Sequence, residues 1–413
     1  MPPSLTRLLV VDEGHRLKNT TKSVTLSALE AILCESRLVL TATPVQNVLS
    51  DFYTIADFCR NCTPQQRQRG AEQSRILDEI TKTFMLRRLQ KDVLKTMLPP
   101  RQEVMLFCRP SLLQCSLYHQ LTSSQRKGIN GRGATTDALK TLTSLRKLCL
   151  HPSLLNSEED RTTKLASIAE SGKLALLDHL LVKIQSSAPD DKVVIVSNFT
   201  SALGLIERSI LKPRSLSYVR LDGSTELSNR QAVVDTFNQT SSERTFAFLL
   251  SSKAGGCGLN LIGANRLIMF DPDWNPASDI QAMARVWRQG QQKACTIYRL
   301  FTSGTVEEVI CQRQIQKGNL ASRAVDCKKG STSLGFTKEE LRDCFTLKDC
   351  ACDTKQKVGD SWPPYDGPPS IVSQGCHDVP LIQVASDAAE LAFVHVVTDA
   401  PHEVCFEASE GGQ

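Results

Sequence analysis

The chain has 413 residues, 41% of them hydrophobic and 23% charged, enough for two or three domains with buried cores. No run of about 20 apolar residues occurs, which excludes a helical membrane span, and no signal-peptide pattern stands at the N-terminus. The net charge of +5 is unevenly placed: residues 1–350 carry +13 and residues 351–413 carry −8, so the basic body suits nucleic acid, although solubility alone is also served by charge.

Fifteen cysteines are scattered without a framework, which fits a reducing compartment. Cys59-x-x-Cys62 is a single pair with no clear second pair. Cys350, Cys352, Cys376 and His377 could supply four zinc ligands, but their spacing is irregular.

Leu8 to Val11 reads as a short buried strand followed by Asp12-Glu13-Gly14-His15. Carboxylates at the carboxyl end of an apolar strand handle Mg²⁺ and the attacking water in nucleoside triphosphatases; alone, the same four residues equally fit a surface turn. Leu38 to Leu40 is the next strand, followed by Thr41-Ala42-Thr43-Pro44-Val45-Gln46-Asn47. Residues 51–58 form an amphipathic pattern, and residues 59–73 turn polar, as a surface connector does. Pro99-Pro100 breaks any helix, and Val104 to Cys108 reads as a strand.

Residues 111–155 are helical in pattern, and His151, before Pro152, reads as a helix-end residue. Ser171-Gly172-Lys173 looks superficially like a phosphate-binding pair. Position 174 is Leu and position 167 is Ser, so it is not a Walker A loop. Strand and helix then alternate: Lys192–Ser197, Tyr218–Leu221, a helix near 228–238, Phe246–Leu250 and Leu267–Phe270. That alternation argues for a parallel sheet covered on both faces, with function on the loops at the carboxyl ends of its strands.

The stretch 246–292 organises the chain. A Gly-rich loop with Gly255, Gly256 and Gly258 follows the first apolar run, and Asp271 ends the second. Pro276 and Ser278 announce a helix, Ser278 and Gln281 have capping-box spacing, and Gly290 marks its far end. Gln281, Arg285 and Arg288 would share one helix face, with Ile280, Met283, Ala284 and Trp287 supplying buried surface. Arginines beside a glycine loop suit polyphosphate; separately, the arginines fit a solvated face and the glycines a tight turn.

Taken in this order, DEGH with RLKN, TATPVQN, SSKAGGCGLNL and QAMARVWRQGQ resemble the motifs of helicase-like ATPases, the Swi/Snf family of DNA translocases in particular. The string through IYRLFTSGTVEEVICQRQ is similar to the Rad-fifty-four branch, which serves homologous recombination. The resemblance covers residues 8–350 and implies an α/β fold of two RecA-like lobes, each a parallel sheet with helices on both faces. The first lobe would be incomplete, at 1–58, and the second complete, at 171–310. Between them would lie a connector and return strand to the first lobe, 59–110, and a helical insertion, 111–170. A brace, 311–350, and a disordered acidic tail, 351–413, would follow, although LIQVASDAAELAFVHVV within the tail could form local structure.

The resemblance further implies a nuclear, ATP-dependent translocase on double-stranded DNA, active in double-strand break repair, with ATP and Mg²⁺ as cofactors and a RecA-type recombinase filament as partner. Asp12 would bind Mg²⁺, Glu13 would orient water, and Arg285 and Arg288 would reach the γ-phosphate. Gln281, Gly255, Gly256, Gly258, Thr41 and Thr43 would contact nucleotide. Ser197, Asn198, Ser251, Ser252, Lys253 and Asn260 would contact DNA. Ala42 departs from the glycine usual in the family. No G-x-x-x-x-G-K-[ST] occurs in the 413 residues, so the chain reads as the carboxyl-terminal part of a larger translocase, inactive alone; the alternative is a non-catalytic DNA- or recombinase-binding protein.

Overall fold

The computed structural model describes residues 6–14, 17, 24–41, 55, 58–59, 86, 98–126, 134–157, 166–254, 258–325, 344–347 and 391–398. The candidate zinc ligands, Gly255, Gly256, Ala42 and Thr43 lie outside these. Two compact units emerge: Met1–Val93 with Trp274–Ala277 and Arg313–Thr337, and Leu94–Asp273 with Ser278–Gln312 and Lys338–Gln413.

In the first unit, β1 (Thr6–Val11) pairs in parallel with β2 (Cys34–Val39), joined through α1 (Val24–Glu30). Side chains alternate across the pair. Leu9, Val11 and Val39 pack with Leu17, Leu26 and Phe58, while Leu8, Val10 and Leu38 stand exposed.

The second unit is built on a seven-stranded sheet. Its strands are β3 (Arg101–Cys108), β4 (Val193–Ser197), β5 (Tyr218–Leu221), β6 (Ala247–Ser251), β7 (Arg266–Met269), β8 (Cys295–Thr302) and β9 (Leu391–Thr398). The order is β5-β6-β4-β7-β8-β3-β9, parallel throughout except for β9, which runs antiparallel to β3. The helices are α2 (Leu112–Arg126), α3 (Ala134–Leu150), α4 (Gly172–Ser187), α5 (Thr200–Ile206), α6 (Leu227–Gln239), α7 (Pro276–Met283) and α8 (Val306–Val325); the last extends into residues assigned to the first unit.

The continuous apolar strands feed two cores, as expected of a sheet buried on both faces. Val193 and Ile195 of β4 join Ala247, Leu249 and Ile268 on the face packed by Leu174, Leu177 and Leu181 of α4. Val194 and Val196 join Phe248, Leu250, Leu267 and Met269 on the face packed by Val234 and Phe237 of α6 and Ala282 and Met283 of α7.

Two expectations change. Val104–Cys108 does not return to the first lobe: β3 pairs residue for residue with β8, Arg101 opposite Cys295 through Cys108 opposite Thr302. Within the tail, residues 391–398 form β9, whose apolar sequence LAFVHVVT pairs with the outer edge of β3 and covers hydrogen-bonding groups an edge strand would leave open.

Candidate nucleotide and nucleic-acid site

In the first unit, Asp12 and Glu13 follow β1 directly, at the carboxyl end of the parallel pair. Glu13 N donates to Asp12 Oδ1 at 2.8 Å, and Glu13 takes a left-handed φ of 52°. Gly14 N donates to Leu40 O at 2.9 Å, and a Cβ at Gly14 would meet Val39 Cγ1 at 2.0 Å, so only glycine lets the turn close on β2. The same closure brings Thr41, half-buried, to the end where Asp12 is exposed. A carboxylate on a fixed turn is a hard oxygen donor, suited to Mg²⁺, which is typically held by one or two carboxylates, waters and phosphate oxygens.

In the second unit, the chain runs from β4 outward to β5, back to β6, then across β4 to β7 and β8. Ligands of open α/β sheets bind outside the carboxyl ends of the strands where the order reverses in this way. A pocket of about 270 Å³ lies there, lined among others by Asn198, Ser252, Lys253, Gln281 and Arg285. The loops after β4 and β6 and helix α7 thus bring together five of the residues singled out in the sequence. Lys253 is exposed and Arg285 half-buried, and Asp273 lines the same pocket, so two cations and one carboxylate stand beside amide and hydroxyl groups; the cations, amides and hydroxyls are donors suited to phosphate oxygens.

Other expected residues sit differently. Ser197 and Ser251 are buried, at 0% and 3% exposure, and the Ser197 hydroxyl turns inward to donate to Asp271; neither presents a surface contact. Asn260 accepts from Asn238 Nδ2 through its main-chain oxygen at 2.8 Å, and its buried Oδ1 has no hydrogen-bond partner among the described residues. Gly258 has φ +63° and open space where a Cβ would stand, so backbone conformation and not crowding selects glycine.

The arginine helix also departs from expectation. It starts at Pro276, with Asn275 Oδ1 accepting from Ala277 N at 3.2 Å. Asn275 therefore caps it, and Ser278 lies inside it. Regular α-helix ends at Met283; Arg285 N→Ala282 O and Val286 N→Met283 O tighten the following turn. Leu261 N donates to Arg285 O at 3.0 Å, and Arg288 Nη1 donates to Leu259 O at 3.2 Å. Arg288 is thereby turned onto the loop after β6, and Gln281, Arg285 and Arg288 do not share one helical face. Ile280, expected inside, is 55% exposed.

Sequence reading missed the groups behind the pocket. Asp271, 1% exposed, accepts from Ser197 Oγ and from Asn198 Nδ2 at 2.8 Å. Arg146 lies 3.8 Å away, and its Nη2 donates to Pro272 O at 2.8 Å. Burial pushes the Asp271 carboxyl up, opposed by Ser197, Arg146, Lys173 and Asn198. Lys173 is buried, donates to Phe270 O at 2.9 Å and pairs with Glu307 at 2.6 Å, which confirms that Ser171-Gly172-Lys173 is no phosphate loop. A charged residue ending an apolar strand was the one available signal for Asp271.

The SNF2-related domain pattern matches residues 5–154, and the helicase conserved C-terminal domain matches residues 172–290. The chain is 41% identical over 393 residues to the DNA repair and recombination protein RAD54B of Gallus gallus, covering 82% of this chain and 42% of that protein. It is 37% identical over 456 residues to the DNA repair and recombination protein RAD54-like of Mus musculus, covering 96% and 60%. The chain spans about half the length of the curated relatives it matches. The Sulfolobus solfataricus SWI2/SNF2 ATPase core, solved in complex with dsDNA, aligns with 83% of this chain and 73% of that chain at 24% identity and a TM-score of 0.49. The chain therefore belongs to the SNF2-related family of helicase-like proteins, and the relatives it matches are RAD54-type DNA repair and recombination proteins.

Proposed function

We propose that the whole protein is a nuclear enzyme that hydrolyses ATP on double-stranded DNA and moves along it in homologous recombination and double-strand break repair, acting on a recombinase filament. The observation that carries this reading is the pocket at the carboxyl ends of β4 and β6, where Lys253 and Arg285 meet Asn198, Ser252 and Gln281, in a chain whose relatives are DNA repair and recombination proteins. Phosphate contacts carry no sequence information, as motion along any DNA requires.

Bound ATP with Mg²⁺ would supply the phosphoryl group and the charge that polarises it. Asp12 would hold the cation through its exposed carboxylate, and Glu13 would orient the attacking water. Arg285, and Arg288 once released from Leu259 O, would offset charge on the γ-phosphate, a contribution of about 10³–10⁵ in rate for arginines in this role. By the resemblance, Thr41 and Thr43 of the first unit and Gln281, Gly255, Gly256 and Gly258 of the second would contact nucleotide, and Asn198, Ser252 and Lys253 would contact DNA.

The 413 residues contain no G-x-x-x-x-G-K-[ST] loop, and that absence favours a second reading of this polypeptide by itself as DNA-binding and non-catalytic. The test is an ATPase assay on purified 1–413 with saturating double-stranded DNA, with Arg288→Ala as the control for contaminants; no turnover above that control is expected. With a phosphate loop supplied ahead of β1 from a RAD54-type relative, turnover should appear and Arg288→Ala or Glu13→Gln should abolish it while DNA binding persists. Near-normal turnover in either variant would refute that residue's role.

A further inference from the structure

Asp271 makes contacts that reach well beyond its own strand. It lies just past β7, beside the loop that follows β4, and the strand order β6-β4-β7 sets that loop between Asp271 and the loop after β6. Its Oδ1 accepts from the Ser197 hydroxyl and from Asn198 N at 3.1 Å; its Oδ2 accepts from Asn198 Nδ2 at 2.8 Å. With the amide nitrogen fixed there, Asn198 Oδ1 faces outward and accepts from Ser252 Oγ at 2.5 Å. Ser252 N in turn donates to Ser197 O at 3.0 Å. One buried carboxylate therefore sets the side chain of Asn198, and Asn198 sets Ser252, the residue before Lys253.

A cation stands beside the carboxyl group. Arg146 Nη2 stands 3.8 Å from Oδ2, with its guanidinium 5.1 Å from the Phe199 ring centroid. Behind the strand, Lys173 fixes the preceding carbonyl, Phe270 O, at 2.9 Å. A buried carboxyl group bonded on this many sides holds its partners to one geometry, whereas an amide at the same place keeps one acceptor oxygen for Ser197 and Asn198 N but sets its NH2 against Asn198 Nδ2, donor against donor, and breaks the bond that orients Asn198.

We propose that Asp271 is the positioning residue that gathers the loops after β4 and β6, presenting Asn198, Ser252 and Lys253 as one surface toward the phosphate groups of a nucleic acid. The identity of the ligand rests on the function proposed above; the positioning does not.

The experiment separates the two. Hydrogen exchange on the 413-residue chain and on Asp271→Asn reports the loops, and anisotropy with a labelled duplex of about 30 base pairs across a salt series reports binding. Asp271→Asn should speed exchange about tenfold at 198–200 and 252–254 while 193–196 keeps its protection. It should also weaken the duplex about tenfold and lower the salt slope by about one, as Lys253→Ala does. Adding Lys253→Ala to Asp271→Asn should then change little, because both act through one contact.

Unchanged exchange at both loops, or unchanged affinity and slope in a duplex-binding chain, would overturn the proposal. Faster loop exchange in a chain whose wild type binds no duplex would support the positioning and refute the nucleic-acid reading. If Asp271→Asn does not fold, Ser252→Ala cuts only the outermost bond. It should speed exchange at 252–254 and spare 198–200, and no change at 252–254 would be equally fatal.

Discussion

Trp287 donates its indole N–H to the carbonyl oxygen of Pro99 at 2.8 Å, and the guanidinium of Arg101 stacks on the same ring, 4.7 Å from its centroid. The residue just before Arg288 is thus pinned to the chain that leads into β3. Replacing Trp287 with Phe removes the hydrogen bond and keeps an aromatic face, at about 1 kcal/mol. Trp287→Ala removes both and should cost about 3 kcal/mol. Urea unfolding of the two variants checks the order; equal losses would mean that the ring contact contributes nothing.

Lys173→Met should destabilise the second unit by about 3–5 kcal/mol, because Glu307, 1% exposed, would lose the cation 2.6 Å away and keep its hydrogen bonds from Thr302 without a counter-charge. Adding Glu307→Gln should recover part of that loss. A double variant no more stable than Lys173→Met would show that the pair is not energetically coupled.

Gly172 touches the chain entering α2: a Cβ there would meet Arg109 O at 2.0 Å, whereas a Cβ at Gly223 meets nothing within 4 Å. Gly172→Ala should cost about 1–3 kcal/mol, and Gly223→Ala should stay within about 0.5 kcal/mol of wild type. Thermal unfolding of the pair distinguishes crowding from a general intolerance of alanine.

His151 is buried, accepts from Ser153 N at 3.0 Å through Nδ1, and has Nε2 2.8 Å from Ser167 O. Nδ1 must therefore be unprotonated, with the ring N–H donated from Nε2. Burial, the largest influence, lowers its pKa from 6.5, against Ser167 and Glu170. A depressed folded value means that the associated stability is complete above 6.5 and is lost as pH falls through the folded value. The unfolding midpoint should therefore drop on acidification below about 6.5 more steeply in wild type than in His151→Asn. Parallel pH profiles would refute it.

Most strands of the second unit were legible because Val193–Val196, Phe246–Leu250 and Leu267–Phe270 are unbroken apolar runs of strand length, fit only for a sheet covered on both sides. Pairing was not legible in the same way. The apolar run of β3 carries no address, and its partner is set by register with β8, 194 positions downstream at Arg101 and Cys295. The arginine helix misled because Ala284 to Trp287 keeps a helical apolar rhythm, while the bonds from Leu261 to Arg285 and from Trp287 to Pro99 tighten and redirect the chain. Asn198, Ser252, Lys253, Gln281 and Arg285 were found by motif, since the first three follow apolar strands directly and the last two lie on and just past the helix that opens at Pro276. Asp271 was read only as the end of a strand, because its partners come from two other loops.

The position of β3 in the sheet also sets an order of events during synthesis. Its eight residues have no strand partner until β8 has been made, about 190 residues later, and no cover on their outer edge until β9 follows. At about 5–20 residues per second, a nascent chain carries that apolar segment unpaired for roughly 10–40 s. Over that interval the segment is a natural client for a holding chaperone, and synthesis slowed between β3 and β8 should lower the yield of folded protein more than an equal slowing after β9.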